Sequence, residues 1–435
     1  MSHVFPRVFG RELPVVDHAR GARIFDVTGK TYIDGAGGAL VVGIGHGDLA
    51  VIDALEDQAR RVSYVHATQF GSDALETYAA EVAPLLPMDG ARIYTVAGGS
   101  EATETALKIA RAYHLARGED SRHKVIGRSG SYHGNTLYAL DASGRPLLRA
   151  PYEPWLGRTV RVPAPNEYRC LNDTHEACGQ KLAADLDFVI RTEGPETVAC
   201  FVAEPIVGAA LGAVSPPDDY WPAVVDVCRE HGVLVIADEV MTGFGRTGAW
   251  FASEHFGLRP DILTAGKGAA SGYWPFGFAA CSGAVFDTIE QTGFVHGFTF
   301  SHNVVGAAVA SAVLARLRSD DLVTASRTKG EALKKMLAAA LDGSPHVGDI
   351  RGRGLMIGLE LVADRGTKEP FDRSRLITEH VIATAFDLGL TLYPAIGCAD
   401  GKGGDAIMLG PPFVITDDEL EQVADIVTDS IEALG

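Results

Sequence analysis

Residues 233–248 of the 435-residue chain read VLVIADEVMTGFGRTG. Five consecutive apolar residues run into Asp238 and Glu239, which predicts a buried strand that ends in two carboxylates. Carboxylates at the carboxyl end of a buried parallel strand point into the crevice where open α/β sheets bind ligands. Two other interpretations stay open at this point: Asp238 caps a turn, or the acidic pair binds magnesium beside a phosphate.

Strand-like runs alternate with helical patterns on both sides of this segment, which indicates an α/β domain with a mostly parallel sheet. The helical patterns include Glu101–Ala116 and Tyr220–His231. The predicted strands are Arg92–Val96, Lys124–Gly127, Thr197–Val202, Val233–Ala237 and Asp261–Thr264.

The two ends of the chain predict a smaller α+β unit. Residues 22–34 alternate like a hairpin that turns at Thr28 and Gly29, and a strand over 354–362 lies among helical patterns after residue 325. We therefore predict an N-terminal segment that joins the small domain, a large domain, and a C-terminal small domain, over residues 1–65, 66–325 and 326–435.

The composition disfavours several classes of protein. The chain has 38 basic and 56 acidic side chains and a formal net charge of −18, which opposes binding to nucleic acid or anionic membranes. The N-terminus lacks an apolar signal core, and no apolar stretch is long enough to span a bilayer. The six cysteines are scattered without a CxxC pair, which favours buried thiols over a zinc site. We expect a soluble, cytoplasmic protein without a metal ion.

A glycine turn leads into a helix at residues 93–111, IYTVAGGSEATETALKIAR. Gly99 lets the backbone approach a ligand closely, and Ser100 opens an amphipathic helix. The free N–H groups at such a helix start suit a phosphate. An ordinary serine-capped helix is the alternative.

A lysine stands between two glycines in residues 260–277, PDILTAGKGAASGYWPFG. Lys267 follows a predicted strand, and a poorly solvated lysine has a lowered pKa and a nucleophilic neutral amine. A solvated loop lysine is the alternative.

An aromatic side chain follows a strand in residues 128–136, RSGSYHGNT. Tyr132, with His133 beside it, suits stacking on a planar ligand or simply filling a domain seam. Taken together, the segments offer a phosphate seat, an aromatic ring, a carboxylate and an isolated lysine, and pyridoxal phosphate needs all four.

With these segments in this order, the sequence resembles the class III aminotransferases, or ω-aminotransferases, of pyridoxal-phosphate fold type I. The resemblance covers nearly the whole chain. It implies a large domain with a mostly parallel seven-stranded sheet flanked by helices, and a small α+β domain formed by both termini. It also implies pyridoxal 5′-phosphate as cofactor and a homodimer with shared active sites, or two such dimers paired into a tetramer. Besides the segments above it rests on VAEPIVG, HGFTFSHN, RGRGLMIGLELV and MLGPPFVIT at 202–208, 296–303, 351–362 and 408–416.

The resemblance implies a role for individual residues. Lys267 matches the lysine that holds the cofactor as a Schiff base, and Asp238 matches the aspartate that pairs with the pyridine nitrogen. The remaining matches are Val240 and Tyr132 on the two ring faces, His133 next to Tyr132, Gly99 and Ser100 in the phosphate turn, Glu204 near the ring, and Thr299 at the phosphate of the neighbouring subunit.

One position departs from the family. Relatives that bind an α-carboxylate often carry an arginine where this chain has Met408, and the preceding loop offers only Lys402 as a cation. Met408, Tyr273 and Trp274 lean towards a partly apolar amine substrate. The implied reaction is ping-pong transfer of an amino group from an amine or amino acid to a keto acid. An amino-acid epimerase, an aminomutase and a decarboxylase share the same cofactor residues and remain alternatives.

Overall fold

The computed structural model describes residues 3–170 and 178–434. Within these ranges fourteen strands form three sheets. The strands are β1 (Val16–Arg20), β2 (Arg23–Asp26), β3 (Thr31–Ile33), β4 (Arg92–Val96), β5 (Lys124–Arg128), β6 (Thr159–Val162), β7 (Val198–Ala203), β8 (Leu234–Asp238), β9 (Ile262–Ala265), β10 (Gly277–Cys281), β11 (Val347–Arg353), β12 (Met356–Leu361), β13 (Tyr393–Pro394) and β14 (Asp405–Leu409).

Thirteen α-helices connect these strands in the same part of the chain. They are α1 (Gly37–Leu40), α2 (Leu49–Arg61), α3 (Asp73–Val82), α4 (Gly99–Ala116), α5 (Leu137–Ala142), α6 (Pro146–Arg149), α7 (Cys178–Glu193), α8 (Tyr220–His231), α9 (Gly283–Glu290), α10 (Val304–Ser319), α11 (Leu322–Ala340), α12 (Ile377–Asp387) and α13 (Asp417–Glu432).

The largest sheet has seven strands in the order β4-β10-β9-β8-β7-β5-β6. The strands from β9 to β6 pair in parallel, and β10 alone runs antiparallel to its neighbours β4 and β9. The predicted mostly parallel seven-stranded sheet is therefore confirmed. Every residue of β7 and β8 is buried, as expected for central strands covered on both faces.

Helices cover the two faces of this sheet. On one face, apolar residues of α4 pack in one cluster with Val202 and Ile236. On the other face, residues of α7 and α8, Trp221 among them, pack with Phe201 and Val235. The carboxyl ends of β5, β7, β8 and β9 consequently meet at one edge, where α/β sheets bind ligands.

The smaller sheets lie near both ends of the chain. The four-stranded antiparallel sheet has the order β11-β12-β14-β13, and the N-terminal strands form the sheet β1-β2-β3. Ile33 of β3 bonds to the backbone of the C-terminal region, from its N–H to Gly389 O at 2.8 Å and from Thr391 N–H to its own carbonyl at 3.0 Å. The separate smaller sheet domain is confirmed, and the boundaries at residues 65 and 325 stay a prediction.

Across residues 3–170 and 178–434, no helix is long and apolar enough to cross a membrane. In the same part of the chain, no group of three or more His, Cys, Asp or Glu side chains is arranged to hold a metal ion.

Candidate active site

Lys267 lies two residues beyond β9, in a short 3₁₀ turn, Lys267–Ala269. Its φ of 41° is in the left-handed region, which costs a non-glycine residue about 1–2 kcal/mol. The side chain is partly buried, and Nζ donates a hydrogen bond to the carbonyl oxygen of Ala39 at 2.9 Å. Burial lowers the pKa of Lys267 to about 8, against the opposing charge of Asp238. About a tenth of the amine is then neutral at pH 7, which excludes the solvated-loop interpretation.

Asp238 ends β8 and is 3% exposed. Its Oδ1 accepts hydrogen bonds from Val240 N at 3.0 Å and Thr264 Oγ1 at 3.1 Å. Its Oδ2 lies 2.7 Å from Nδ1 of His133. The turn-capping interpretation is thus correct in part, because the Val240 contact caps the turn, but the same carboxylate is held from three sides at the crevice.

Glu239 points away from Asp238 and serves the fold. It is fully buried, and its carboxylate accepts hydrogen bonds from the backbone N–H groups of Ala252 and Ser253 at 2.9 and 2.7 Å. Burial raises the pKa of Glu239 despite these bonds. The two carboxylates therefore do not converge on one magnesium site.

His133 is buried between two carboxylates. Burial lowers the pKa of His133, but the hydrogen bond to Asp238 and the charges of Glu204 and Asp238 outweigh it, so that the net shift is upward. Its Nε2 lies 4.0 Å from Glu204 and has no hydrogen-bond partner among the described residues. The ring therefore orients Asp238 through Nδ1.

Glu204 fixes the backbone of Tyr132. Its Oε1 accepts a hydrogen bond from Tyr132 N at 3.1 Å, and its Oε2 accepts one from Nη2 of the buried Arg128 at 3.2 Å. Tyr132 is partly buried, which raises the pKa of its hydroxyl. The glutamate predicted to lie near the ring thus binds the backbone of the aromatic that is predicted to face it.

The turn predicted to bind phosphate lies against Val240, the residue predicted for one ring face. A Cβ at Gly99 would lie 2.7 Å from Cγ1 of Val240, so only glycine fits there. Ser100 Oγ accepts a hydrogen bond from Asn135 N at 3.0 Å, and Gly134, with φ of 141°, leaves room for that hydroxyl. The first N–H groups of the 18-residue helix α4 have no intrahelical partner and are available to an anion.

Thr299 is separate from these residues. It lies in the irregular stretch between α9 and α10, is exposed, and makes no hydrogen bond to any other predicted site residue. The structure therefore brings eight of the nine predicted residues to the carboxyl edge of the sheet within one chain, and the ninth stays apart.

The family model described as aminotransferase class-III matches residues 8–431.
The chain belongs to the class III aminotransferases.
An uncharacterized aminotransferase, YodT, from Bacillus subtilis (strain 168) is 40% identical over 423 residues, which are 97% of this chain and 95% of the relative. The family match identifies this protein as a transaminase. Pyridoxal-phosphate-dependent transamination is the chemistry of its family.

Solved structures agree with this family. An (S)-enantioselective ω-transaminase from Thermomicrobium roseum has a TM-score of 0.93 at 34% identity, and the match covers 99% of this chain and 96% of that one. The ω-transaminase from Pseudomonas jessenii, in a complex with PMP, has a TM-score of 0.92 at 29% identity, again over 99% and 96% of the two chains. These matches cover both the seven-stranded sheet and the smaller sheets of this class III aminotransferase.

Two side chains predicted to influence substrate preference, Met408 and Tyr273, have packing or hydrogen-bond partners within this aminotransferase. Met408 is fully buried in an apolar cluster with Leu40 and Cys398. The Tyr273 hydroxyl accepts a hydrogen bond from Asp48 N at 2.7 Å and donates one to Gly45 O at 2.9 Å, which ties it to the N-terminal region.

Sequence reasoning missed three contributors to the site. Ala39 supplies the carbonyl that Lys267 binds, Arg128 holds Glu204, and Thr264 holds Asp238. The Ala39 contact spans 228 residues of sequence, so no local pattern reveals it. Thr264 is different, because it stands beside Asp238 in the parallel pairing of β8 with β9, and a correct strand alignment would have found it.

Proposed function

We propose that Lys267 and Asp238 form the reactive centre of a transaminase that moves an amino group from an amine or amino acid to a keto acid. The observation that carries this proposal is the pairing of β8 with β9. Asp238 lies opposite Thr264, and Lys267 follows three residues later. An amine with a pKa of about 8 and a buried carboxylate thereby face the same crevice.

The residues of this crevice fit pyridoxal phosphate. Gly99 and Ser100 would hold the phosphate at the start of α4, and Tyr132 and Val240 would enclose the ring. The requirement for glycine at position 99, beside Val240, supports a phosphate-binding turn that closely approaches the cofactor. When bound, the cofactor supplies an aldehyde for covalent attachment and a ring that withdraws electrons.

Each of the two reactive side chains holds or moves a proton. The Asp238 carboxylate would hold a proton on the ring nitrogen through a charge-assisted hydrogen bond, and His133 keeps that carboxylate in place. Lys267 Nζ would remove the proton from the substrate carbon that bears the amino group and deliver it to the aldehyde carbon of the cofactor, so that the amino group stays there. Base catalysis of this kind contributes about 10² to 10⁴ in rate.

The first test follows the colour of the purified protein. We expect a yellow protein whose visible absorbance bleaches when an amine or amino acid donor is added without acceptor. Pyruvate or 2-oxoglutarate should then restore the colour, and initial rates should show ping-pong kinetics. The donors that bleach the colour define the substrate class.

Other outcomes of that test point elsewhere. A colourless protein that takes up no pyridoxal phosphate contradicts the proposal as a whole. A yellow protein that no donor bleaches keeps the cofactor and favours an amino-acid epimerase, an aminomutase or a decarboxylase instead.

We further propose a homodimer in which Thr299 reaches the phosphate of the neighbouring subunit. Thr299 lies in a stretch with two exposed apolar side chains, Val295 and Phe300, and Phe300 contacts the exposed Tyr64 edge to face at 6.3 Å. Exposed apolar groups that cluster in this way mark association surfaces. A hydroxyl on such a surface is well placed to complete a neighbour's site.

The Thr299→Ala variant should bind pyridoxal phosphate about tenfold more weakly, because it loses one hydrogen bond to a charged group. The dissociation constant of the apoprotein for the cofactor measures this, and sedimentation gives the size of the assembly. Thr292→Ala removes an exposed threonine of the same stretch and serves as the control. Equal cofactor affinity in the two variants would rule out the Thr299 contact.

A further inference from the structure

Arg145 is a cation beside the site whose charge has no partner among the residues that the structure describes. It is partly buried, and its guanidinium makes no hydrogen bond or ion pair with any residue of 3–170 or 178–434. Burial lowers the pKa of Arg145, whereas the electrostatic influence of Tyr393, Tyr132 and Glu204 raises it. Tyr132 is the aromatic predicted to face the ring and Tyr393 lies in strand β13 of the small sheet, so the guanidinium lies near both.

The backbone fixes Arg145 next to the Tyr132 segment. The N–H of Gly130 donates to Gly144 O at 2.9 Å, and the N–H of Gly144 donates to Ser131 O at 3.0 Å. These two segments of the backbone lie so close together that a Cβ at Gly144 would lie 2.1 Å from Arg128 O. A glycine is therefore required at this position. Arg145 then precedes α6, and its carbonyl accepts hydrogen bonds from Leu148 N at 3.1 Å and Arg149 N at 3.2 Å.

Two other arginines near the crevice already have partners, and Arg7, whose charge also acts on Tyr132, is exposed. Arg246 is buried and donates to the carbonyl oxygens of Val42, Leu355 and Pro411 at 2.7–3.0 Å. Arg128 is bonded to Glu204. Glu204 also accepts a hydrogen bond from Tyr132 N, so both of its carboxylate oxygens have partners. It forms no ion pair with Arg145.

The family position at which an arginine binds carboxylate is closed in this chain. Met408 is buried in apolar surroundings, and Tyr393 is its partner in the pairing of β13 with β14. Lys402 is exposed, in a turn whose N–H groups bind Asp400. Arg145 is thus the partly buried arginine that remains available beside Tyr132.

We propose that Arg145 binds the carboxylate of the keto-acid acceptor. This inference rests on the proposed function, because it assumes that the acceptor reacts at Lys267. A partly desolvated guanidinium without a counter-ion gains most from an arriving anion, and its planar donors match a carboxylate with two parallel hydrogen bonds. The substrate class is accordingly a carbonyl compound with a carboxylate, rather than an uncharged aldehyde or ketone.

The test compares two acceptors of equal carbon number on the holoenzyme. One is the keto acid, pyruvate or 2-oxoglutarate, that restores the colour in the assay above, and the other is the straight-chain aldehyde. In Arg145→Met, the ratio of kcat/KM for the keto acid to kcat/KM for the aldehyde should fall about 10- to 100-fold, the range for one lost pair of charge-assisted hydrogen bonds. Arg145→Lys should fall in between, because lysine is a point charge.

A second readout does not depend on turnover. Calorimetric titration of the holoenzyme with butyrate, an unreactive carboxylate, should show a dissociation constant at least tenfold larger in Arg145→Met. Lys402→Met is the matched control, since it removes a nearby exposed cation of the neighbouring turn, and both readouts should stay at the wild-type value.

The outcomes separate this inference from the proposed function. If donors bleach the colour but the acceptor ratio of Arg145→Met equals that of the wild type, Arg145 does not bind the carboxylate and the transaminase assignment stands. Equal losses with both acceptors would mean a role in the fold only. A shift of the ratio in Lys402→Met, or in Arg7→Met at the exposed cation that also faces Tyr132, would move the carboxylate to that residue instead.

Discussion

The Lys267→Ala variant is expected to lose transamination by roughly 10⁴-fold or more, because the substitution removes both the attacking amine and the group that transfers the proton. The cofactor should still bind, since the contacts proposed at Gly99, Ser100 and Asp238 remain. Single-turnover rates with an excess of donor measure the loss, and mass spectrometry after borohydride reduction shows whether the cofactor is attached to the chain.

Lys267→Arg separates charge from nucleophilicity in this experiment. Arginine keeps the positive charge beside Asp238 but stays protonated, so it neither attacks an aldehyde nor accepts a proton at neutral pH. We expect it to be as inactive as the alanine variant. Substantial turnover in either variant, or covalent cofactor in both, would show that another amine of the chain carries the reaction.

The central strands could be predicted from the sequence, because strands that are buried on both faces consist of recognisable runs of apolar residues. The predicted strands at 233–237 and 261–264 differ from β8 and β9 by one residue at each end. Two strands of the same sheet were not predicted. β10 reads GFAAC and has no β-branched residue, and β6 has four residues with an arginine among them. Pairing with neighbours, rather than local propensity, makes these segments strands.

The site was predictable to the extent that its groups follow strands. Lys267, Asp238 and the turn at Gly99 were found because parallel strands bring their carboxyl ends to one edge. The strand pattern did not distinguish Asp238, which faces the crevice, from Glu239, which is buried among backbone N–H groups, and only the resemblance to the family singled out Asp238. Side chains alternate across a strand, so adjacent carboxylates face opposite ways, but the pattern alone does not say which one faces the ligand.

Contacts between distant parts of the chain were outside the reach of the sequence. The bond from Arg128 to Glu204 spans 76 residues, and the lack of a partner for Arg145 among residues 3–170 and 178–434 is visible only in the folded structure. The cofactor residues are therefore readable as motifs, whereas the residue that recognises the acceptor depends on which cations the fold leaves without a partner.

The Asp238→Asn variant is expected to retain the cofactor and to lower kcat about 10²- to 10³-fold. Asparagine has the same shape, and its carbonyl can still accept the bonds from Val240 N and Thr264 Oγ1. It has no negative charge, however, and so no longer holds a proton on the ring nitrogen. Steady-state kcat at saturating donor and acceptor, normalised to bound cofactor, measures this effect.

The same substitution should move a second quantity that a mere packing defect would not. His133 owes its raised pKa to the Asp238 hydrogen bond and to the charges of Glu204 and Asp238, against the opposing effect of burial. In Asp238→Asn the pKa of His133 should fall, and NMR titration of the imidazole would detect the change.

Glu239→Gln is the matched control for Asp238→Asn. It should lower the Tm, because it weakens the hydrogen bonds from Ala252 and Ser253, and it should leave kcat per folded molecule near the wild-type value. A kcat loss in Glu239→Gln as large as that in Asp238→Asn would mean that the ring nitrogen is not held by Asp238 alone.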